Sequence, residues 1–216
     1  MSHSPAPIRR LLAVQPPIIP LVGALIDRTP GTISFGQGVV GYGPPPEALD
    51  AVEQFWRDLE NHKYGTVEGL PVLIEAIEEK LSAENGIRVR PGSRVIVTAG
   101  GNMAFVHAVL AVADPGDEII LLTPFYFNHD MAVALAGCRT VAVATDEAGQ
   151  PDVERIARAI SPRTRAVVTI SPNNPTGAVY DPATLRAVNA LCAERGIYHL
   201  SDEIYEYFTY GQVPHF

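Results

Sequence analysis

The chain has 216 residues, enough to fill one large α/β domain and bury a real core. Hydrophobic residues make up 47% of it and mean hydropathy is +0.10, which excludes a disordered chain. A net charge of -8 argues against a nucleic-acid or anionic-membrane partner. Near the N-terminus, Arg9 and Arg10 precede apolar stretches that Pro16, Pro17 and Pro20 interrupt, which fits neither a signal peptide nor a membrane-spanning helix. Cys138 and Cys192 are isolated and read as buried free thiols, as expected in a reducing cytoplasm.

Met1–Pro7 reads as a disordered tail. Pro17–Arg28 reads as a short helix entered through proline, with Ile18, Leu21, Val22 and Leu25 as its apolar residues. Ile33–Phe35 is a short extended piece. The loop Gly36–Pro46 follows, and its four glycines let backbone approach a ligand or simply flex. Pro46–Asn61 places Leu49, Val52, Phe55, Trp56 and Leu59 on one stripe of an amphipathic helix. A loop with Tyr64 leads to a helix over Leu70–Glu84, with Leu73, Ile74, Ile77 and Leu81 facing inward and Gly86 as its stop.

From Arg94 the pattern changes to alternating strands and helices. Arg94–Thr98 reads as a strand, Ala99-Gly100-Gly101-Asn102 as a tight turn, and Met103–Ala113 as a helix. Such a turn serves either a phosphate at the helix N-terminus or close packing. It is not Gly-x-Gly-x-x-Gly, which disfavours a dinucleotide fold. A strand over Glu118–Leu122 ends in Thr123-Pro124-Phe125-Tyr126-Phe127-Asn128-His129, whose aromatics fill core or stack on a ligand. Helix Asp130–Gly137, strand Arg139–Ala144, a surface turn over Asp146–Pro151 and a short helix over Asp152–Ile160 follow.

Ala166–Ile170 is a β-branched apolar run, read as a buried strand, and Ser171-Pro172-Asn173-Asn174-Pro175-Thr176-Gly177 is turn chemistry. Each proline disfavours a helical conformation in the residue before it, so Asn174 is expected extended, just past the strand. Ligands of open α/β sheets bind at that carboxyl end. A helix runs from Asp181 or Pro182 to Arg195 and stops at Gly196, and a strand over Ile197–Leu200 leads into Ser201–Phe208. Asp202, taken alone, reads as a helix cap. His62, His107, His129 and His199 lack partners at metal-ligand spacing and read as structural or surface residues.

The Ser-Pro-Asn-Asn-Pro-Thr-Gly run after such a strand resembles the Asn-Pro-Thr-Gly segment of class I/II aminotransferases, which are pyridoxal-phosphate (PLP) enzymes of fold type I. The resemblance spans nearly the whole chain. It implies an α/β fold with a mostly parallel sheet and helices on both faces. Residues 1–45 would form an N-terminal arm and small-domain segment, and 46–216 an incomplete PLP-binding large domain. It assigns Gly101 and Asn102 to the cofactor phosphate, Tyr126 to stacking on the pyridine ring, and Asp202 to the pyridine nitrogen. Asn174 and Tyr205 would hydrogen-bond the phenolic oxygen. Tyr64 would reach across a homodimer to the neighbour's phosphate, and an amide at Gly38 would face the substrate carboxylate. The substrates implied are an amino acid and a 2-oxo acid, and the Phe125-Tyr126-Phe127-Asn128 run resembles aromatic or methionine aminotransferases more than aspartate-specific ones. Leu73-Ile74 departs from the Leu-Arg common in the family at that point.

The family's Ser-x-x-Lys lysine is expected downstream of Phe216, as is the arginine that binds the substrate carboxylate; the chain's own lysines, Lys63 and Lys80, match neither. The sequence thus reads as the N-terminal part of a longer enzyme. A PLP lyase or synthase shares the same motifs, and a non-catalytic scaffold lacking the lysine is the alternative of a different class. In the resembling fold two later strands insert between the Arg94 and Arg165 strands, so the inner edge of the Arg165 strand is expected to be unpaired.

Overall fold

Residues 8–15, 18–36, 38, 40–211 and 215 are described in a computed structural model, and the expected tail Met1–Pro7 lies outside them. The elements in chain order are α1 (Arg9–Leu12), α2 (Ile18–Asp27), α3 (Pro46–Arg57), a 3-10 turn (Leu59–His62), α4 (Pro71–Glu84) and α5 (Gly101–Val112). They continue with β1 (Glu118–Thr123), α6 (Phe127–Leu135), β2 (Arg139–Ala144), α7 (Val153–Ala159), β3 (Thr164–Ile170), α8 (Pro182–Arg195) and β4 (Tyr198–Asp202). The chain divides into two units, one of Met1–Val14, Lys80–Arg88 and Val97–Phe216, the other of Gln15–Glu79 and Val89–Ile96.

The first unit is built on a parallel sheet of order β2-β1-β3-β4. Successive strand side chains point to opposite faces, so each central strand feeds two cores. Ile119, Leu121, Ala166 and Val168 pack with Phe105 and Val109 of α5 and with Ala132 and Val133 of α6. Ile120, Leu122 and Val167 pack with Ile156 of α7 and with Leu185, Val188 and Leu191 of α8. Burial on both faces is why β1 and β3 read as continuous apolar runs. Helix α8 shows how local chemistry sets the boundaries. Asp181 accepts hydrogen bonds from Ala183 and Thr184 N–H at 2.9 and 3.0 Å, Pro182 opens the helix, and Gly196 closes it at φ 65°.

Two expectations about the sheet are corrected. Residues 94–98 form no strand, since an extended segment without a hydrogen-bonding neighbour makes no ladder. Both edges of the Arg165 strand, β3, are paired, to β1 and β4; the strand with one unpaired edge next to β3 is β4. Helix α5 also starts earlier than expected, at Gly101, because Gly100 takes φ 83° and serves as its N-cap.

In the second unit, α2 and α3 bury no residue among those described. Leu49, Val52, Trp56 and Leu59 lie on the predicted stripe but are exposed, and Leu73 of α4 is exposed as well. The pattern fixes the helix but supplies no surface to cover it. The expected continuation of α3 to Asn61 breaks at Asp58, whose carboxylate accepts from Glu60 N–H and caps the 3-10 turn. Ile33–Phe35 forms no strand.

At the amino end of β1 sits Glu118, only 1% exposed. It accepts from Ser161 Oγ at 2.7 Å, Arg139 Nη2 at 2.5 Å and Arg163 Nε at 3.0 Å. The Ser161 bond, opposed by burial and joined by the two arginines, pulls its pKa from the ordinary 4.5 to about 2. A depressed carboxylate pKa gives stability that is full above the unfolded value and lost as pH falls toward the folded one. Glu118→Gln is therefore expected to cost about 1–3 kcal/mol at neutral pH. It should also flatten the loss of stability between pH 4.5 and about 2. Urea unfolding at a series of pH values measures both, and an unchanged acid limb would refute the assignment.

Candidate active site

A cavity of about 560 Å³ opens at the carboxyl ends of β3 and β4. Gly101 and Asn102 reach it from the N-terminus of α5, and Tyr126 from the residue before α6. Asn174 reaches it from the turn after β3, and Asp202 and Tyr205 from the end of β4 and the residues beyond. Six of the eight residues singled out in the sequence thus converge on one space. Gly38 and Tyr64 belong to the second unit. Tyr64 is exposed, and a Cβ at Gly38 would meet nothing within 4 Å.

Four consecutive residues of β4, His199 to Asp202, line the cavity. Their side chains alternate between faces, so the cavity must wrap round the unpaired edge of the strand. Its full volume therefore exceeds the part enclosed by the converging residues.

Asp202 is the chemical centre of the enclosed part. Its side chain is 26% exposed, and its Oδ2 lies 3.1 Å from His129 Nε2. Its Oδ1 accepts from Ile204 N–H at 3.1 Å. Burial pushes its pKa up, but the His129 and Ile204 hydrogen bonds outweigh that and hold it below the ordinary carboxylate range. An ionised acceptor requires a donor opposite, so His129 Nε2 bears a proton. His129 is 2% exposed and stacks on Phe105 with ring centroids 3.8 Å apart. Tyr126 meets the same imidazole edge-on at 5.5 Å.

His129 is the residue that sequence reasoning missed as part of the site. Read as structural or surface, it instead holds the carboxylate. The available signal was its place three residues after Tyr126, one helical turn into α6 and on the same side as Tyr126. Asn128 is a second such residue: its Nδ2 donates to the Tyr126 hydroxyl at 2.6 Å and to Asn102 Oδ1 at 3.4 Å, tying the aromatic to the glycine turn. His199 lines the cavity too, with Nε2 at 2.9 Å from Thr169 Oγ1, and burial pushes its pKa down. It is therefore neutral at pH 7.

Of the two adjacent asparagines, Asn173 is buried and structural. Its Oδ1 accepts from Thr176 N–H and Oγ1 at 3.2 and 2.8 Å, and its Nδ2 donates to the Tyr180 hydroxyl at 3.2 Å. That closes the turn and leaves Asn174 facing the cavity. Lys63, in the second unit, pairs with Glu60; Lys80 pairs with Glu206 and Asn85 and does not line the cavity.

The donor set suits a planar anionic cofactor bearing a ring nitrogen. Free N–H groups at a helix start suit a phosphate, an ionised and mostly buried carboxylate suits a protonated nitrogen, and an aromatic beside them suits a flat ring. A parallel sheet with helices on both faces and such a site at its carboxyl edge is the architecture of PLP-dependent transferases of fold type I. The chain belongs to the family described as aminotransferase class I and II, whose model matches residues 30–216. Members of this family use PLP.

Among curated relatives, the chain is 47% identical over 150 residues to an aspartate/prephenate aminotransferase of Thermus thermophilus, a match covering 68% of this chain and 39% of the relative. It is 33% identical over 212 residues to the aromatic aminotransferase ISS1 of Arabidopsis thaliana, covering 96% of this chain and 53% of the relative. Among solved structures, the Thermus thermophilus aspartate aminotransferase with maleate superposes with a TM-score of 0.87 at 39% identity, covering 99% of this chain and 56% of that one. The chain thus spans about half the length of the relatives it matches.

Replacing His129 by Phe keeps a ring against Phe105 and removes the hydrogen bond to Asp202. The Asp202 carboxyl is then expected to titrate at higher pH, since burial would act with less opposition. Carbon NMR of a ¹³C-labelled aspartate carboxyl measures this, and an unchanged titration would show that His129 does not hold the charge.

Proposed function

We propose that the protein transfers an amino group between an amino acid and a 2-oxo acid with PLP as cofactor. The observation that carries this is the convergence of Gly101, Asn102, Tyr126, Asn174, Asp202 and Tyr205 on one cavity around an ionised carboxylate. When bound, PLP supplies an electron-accepting ring to a substrate amino group. In this reading the N–H groups of Gly101 and Asn102 bind the cofactor phosphate at the start of α5. Tyr126 stacks on the ring and, with its hydroxyl held by Asn128, orients it. Asn174 and Tyr205 hydrogen-bond the phenolic oxygen. Asp202 holds the proton on the pyridine nitrogen; at about 4 Å and an effective dielectric of ~20 the attraction is roughly 4 kcal/mol. Fixing these groups before substrate arrives is the chain's contribution to rate.

The proposal includes a homodimer in the cytoplasm, with Tyr64 serving the neighbouring subunit's cofactor phosphate and the Gly38 amide facing the substrate carboxylate. Each lysine is held by a carboxylate, Lys63 by Glu60 and Lys80 by Glu206, so residues 1–216 are read as supplying binding and electrostatics rather than the proton-moving amine. A scaffold that binds PLP without turnover is the reading this observation favours for the chain alone.

Asp202→Ala in the full-length protein is expected to lower the half-reaction rate by about 100-fold or more. Near wild-type rates would overturn the assignment. For the chain alone, PLP addition, borohydride reduction and peptide mapping are expected to leave Lys63 and Lys80 unlabelled at stoichiometry. A full label on either, with transamination, would overturn the division of labour.

Mixing Tyr64→Phe chains with chains lacking the cofactor-binding lysine tests the dimer. In the mixed dimer, cofactor affinity is expected to fall in the subunit that retains Tyr64. A fall only in the subunit carrying the substitution would place Tyr64 in its own site.

A further inference from the structure

His129 uses Nε2 for Asp202, and its second ring nitrogen, Nδ1, is buried with no hydrogen-bond partner among the described residues. A buried polar atom left unpaired is costly, and native structures rarely leave one. On the side of His129 toward Leu121, Leu122 and Phe125 lies a second cavity of about 10 Å³, also lined by Asn173 and Tyr180. That is about the space one water needs, and a buried water needs polar partners as well as room. The lining offers two besides the imidazole. Tyr180 is 1% exposed; its hydroxyl oxygen accepts from Asn173 Nδ2, which leaves its O–H free to donate. Burial pushes the Tyr180 pKa up to about 12, so that proton stays on at any working pH.

We propose that one ordered water fills this cavity and joins His129 to Tyr180, making Tyr180 and Asn173 positioning residues for Asp202. The donors and acceptors run in one direction. Tyr180 O–H donates to the water, the water donates to His129 Nδ1, and Nε2–H donates to Asp202. Run in this direction, the bridge favours a proton on Nε2 and a lone pair on Nδ1, which keeps Asp202 an acceptor. It also couples the two sides of the site, because Asn173 closes the turn that presents Asn174. The positioning role rests on the proposed cofactor reading, whereas the bridge itself is a property of the protein without cofactor.

The test is ¹⁵N NMR of the histidine side chains in the full-length protein, without added PLP, for wild type and Tyr180→Phe. Wild type is expected to show His129 protonated on Nε2, with Nδ1 a hydrogen-bonded acceptor. In Tyr180→Phe the Nδ1 resonance is expected to move to higher frequency as that bond weakens, and PLP affinity to fall by about 2- to 10-fold. A wild-type His129 protonated on Nδ1, or an Nδ1 resonance unmoved by the substitution, would overturn the bridge. Should Tyr180→Phe fail to fold, an NOE from a long-lived water to the His129 ring proton between the two nitrogens decides the matter in wild type: its presence supports the bridge and its absence overturns it. A protein that shows the expected resonances yet binds no PLP would leave the bridge standing and overturn the cofactor reading instead.

Discussion

The register between β3 and β4 is the constraint on which the site depends. Ile170 lies opposite Asp202, and Ser171 N–H continues the ladder to the Asp202 carbonyl at 3.1 Å. This pairing sets Asp202 on the α5/α6 face of the sheet, where Val168 and Leu200 also lie. A slip of one residue would turn Asp202 to the α7/α8 face and bring Ser201 in its place. No loop adjustment would restore the contact with His129. The pairing also brings the Asn173–Asn174 turn to the same rim, since that turn starts directly after β3. The buried apolar residues of both faces thus fix the position of the one carboxylate that matters chemically.

Charge is distributed along the sheet to match. At the amino ends of the strands, Glu118 is answered by Arg139 and Arg163, and Asp117 by Arg165, so those carboxylates are neutralised where they stand. At the carboxyl ends, Asp202 is met, among the described residues, by a histidine and one backbone N–H. A single imidazole N–H orients the carboxylate through one hydrogen bond and leaves lone pairs on both oxygens for a ligand donor. The same carboxylate facing an arginine would be a structural ion pair with little left to offer a ligand.

Much of this was legible in the sequence because local rules and burial agree in the first unit. β1, β2 and β3 are apolar or β-branched runs; α8 carries its own start and stop in Asp181, Pro182 and Gly196. The Ser-Pro-Asn-Asn-Pro-Thr-Gly turn and Asp202 stand at strand ends, where a parallel sheet collects functional groups. Which of two adjacent asparagines faces the cavity comes from the resemblance and the proline beside Asn174, not from the chemistry of the two side chains. Asn173 and Asn174 are chemically identical, and only the Tyr180 hydroxyl and the Thr176 side chain decide that the first is structural. His129 was misjudged for a related reason. Its partner lies 73 positions further along the chain, and no spacing rule reaches that far; only the sheet register brings the two together.

The failures in the second unit have a different origin. The stripe of α3, with Leu49, Val52, Trp56 and Leu59, is a correct statement about helix periodicity, and the helix forms. Periodicity marks a face for burial but does not name what covers it. Left in water, each such side chain forgoes about 1.5–3 kcal/mol of burial, so these exposed stripes are unmet demands rather than neutral surface. The segment at Arg94 and the free edge of β4 express the same demand in backbone terms, one as a strand-like sequence without a ladder and the other as a ladder open on one side. Apolar stripe, bare edge and unformed strand are three forms of one condition. Among the described residues the central strands β1 and β3 meet the burial that their pattern calls for, and the site stands at the carboxyl end of β3, beside the open edge of β4.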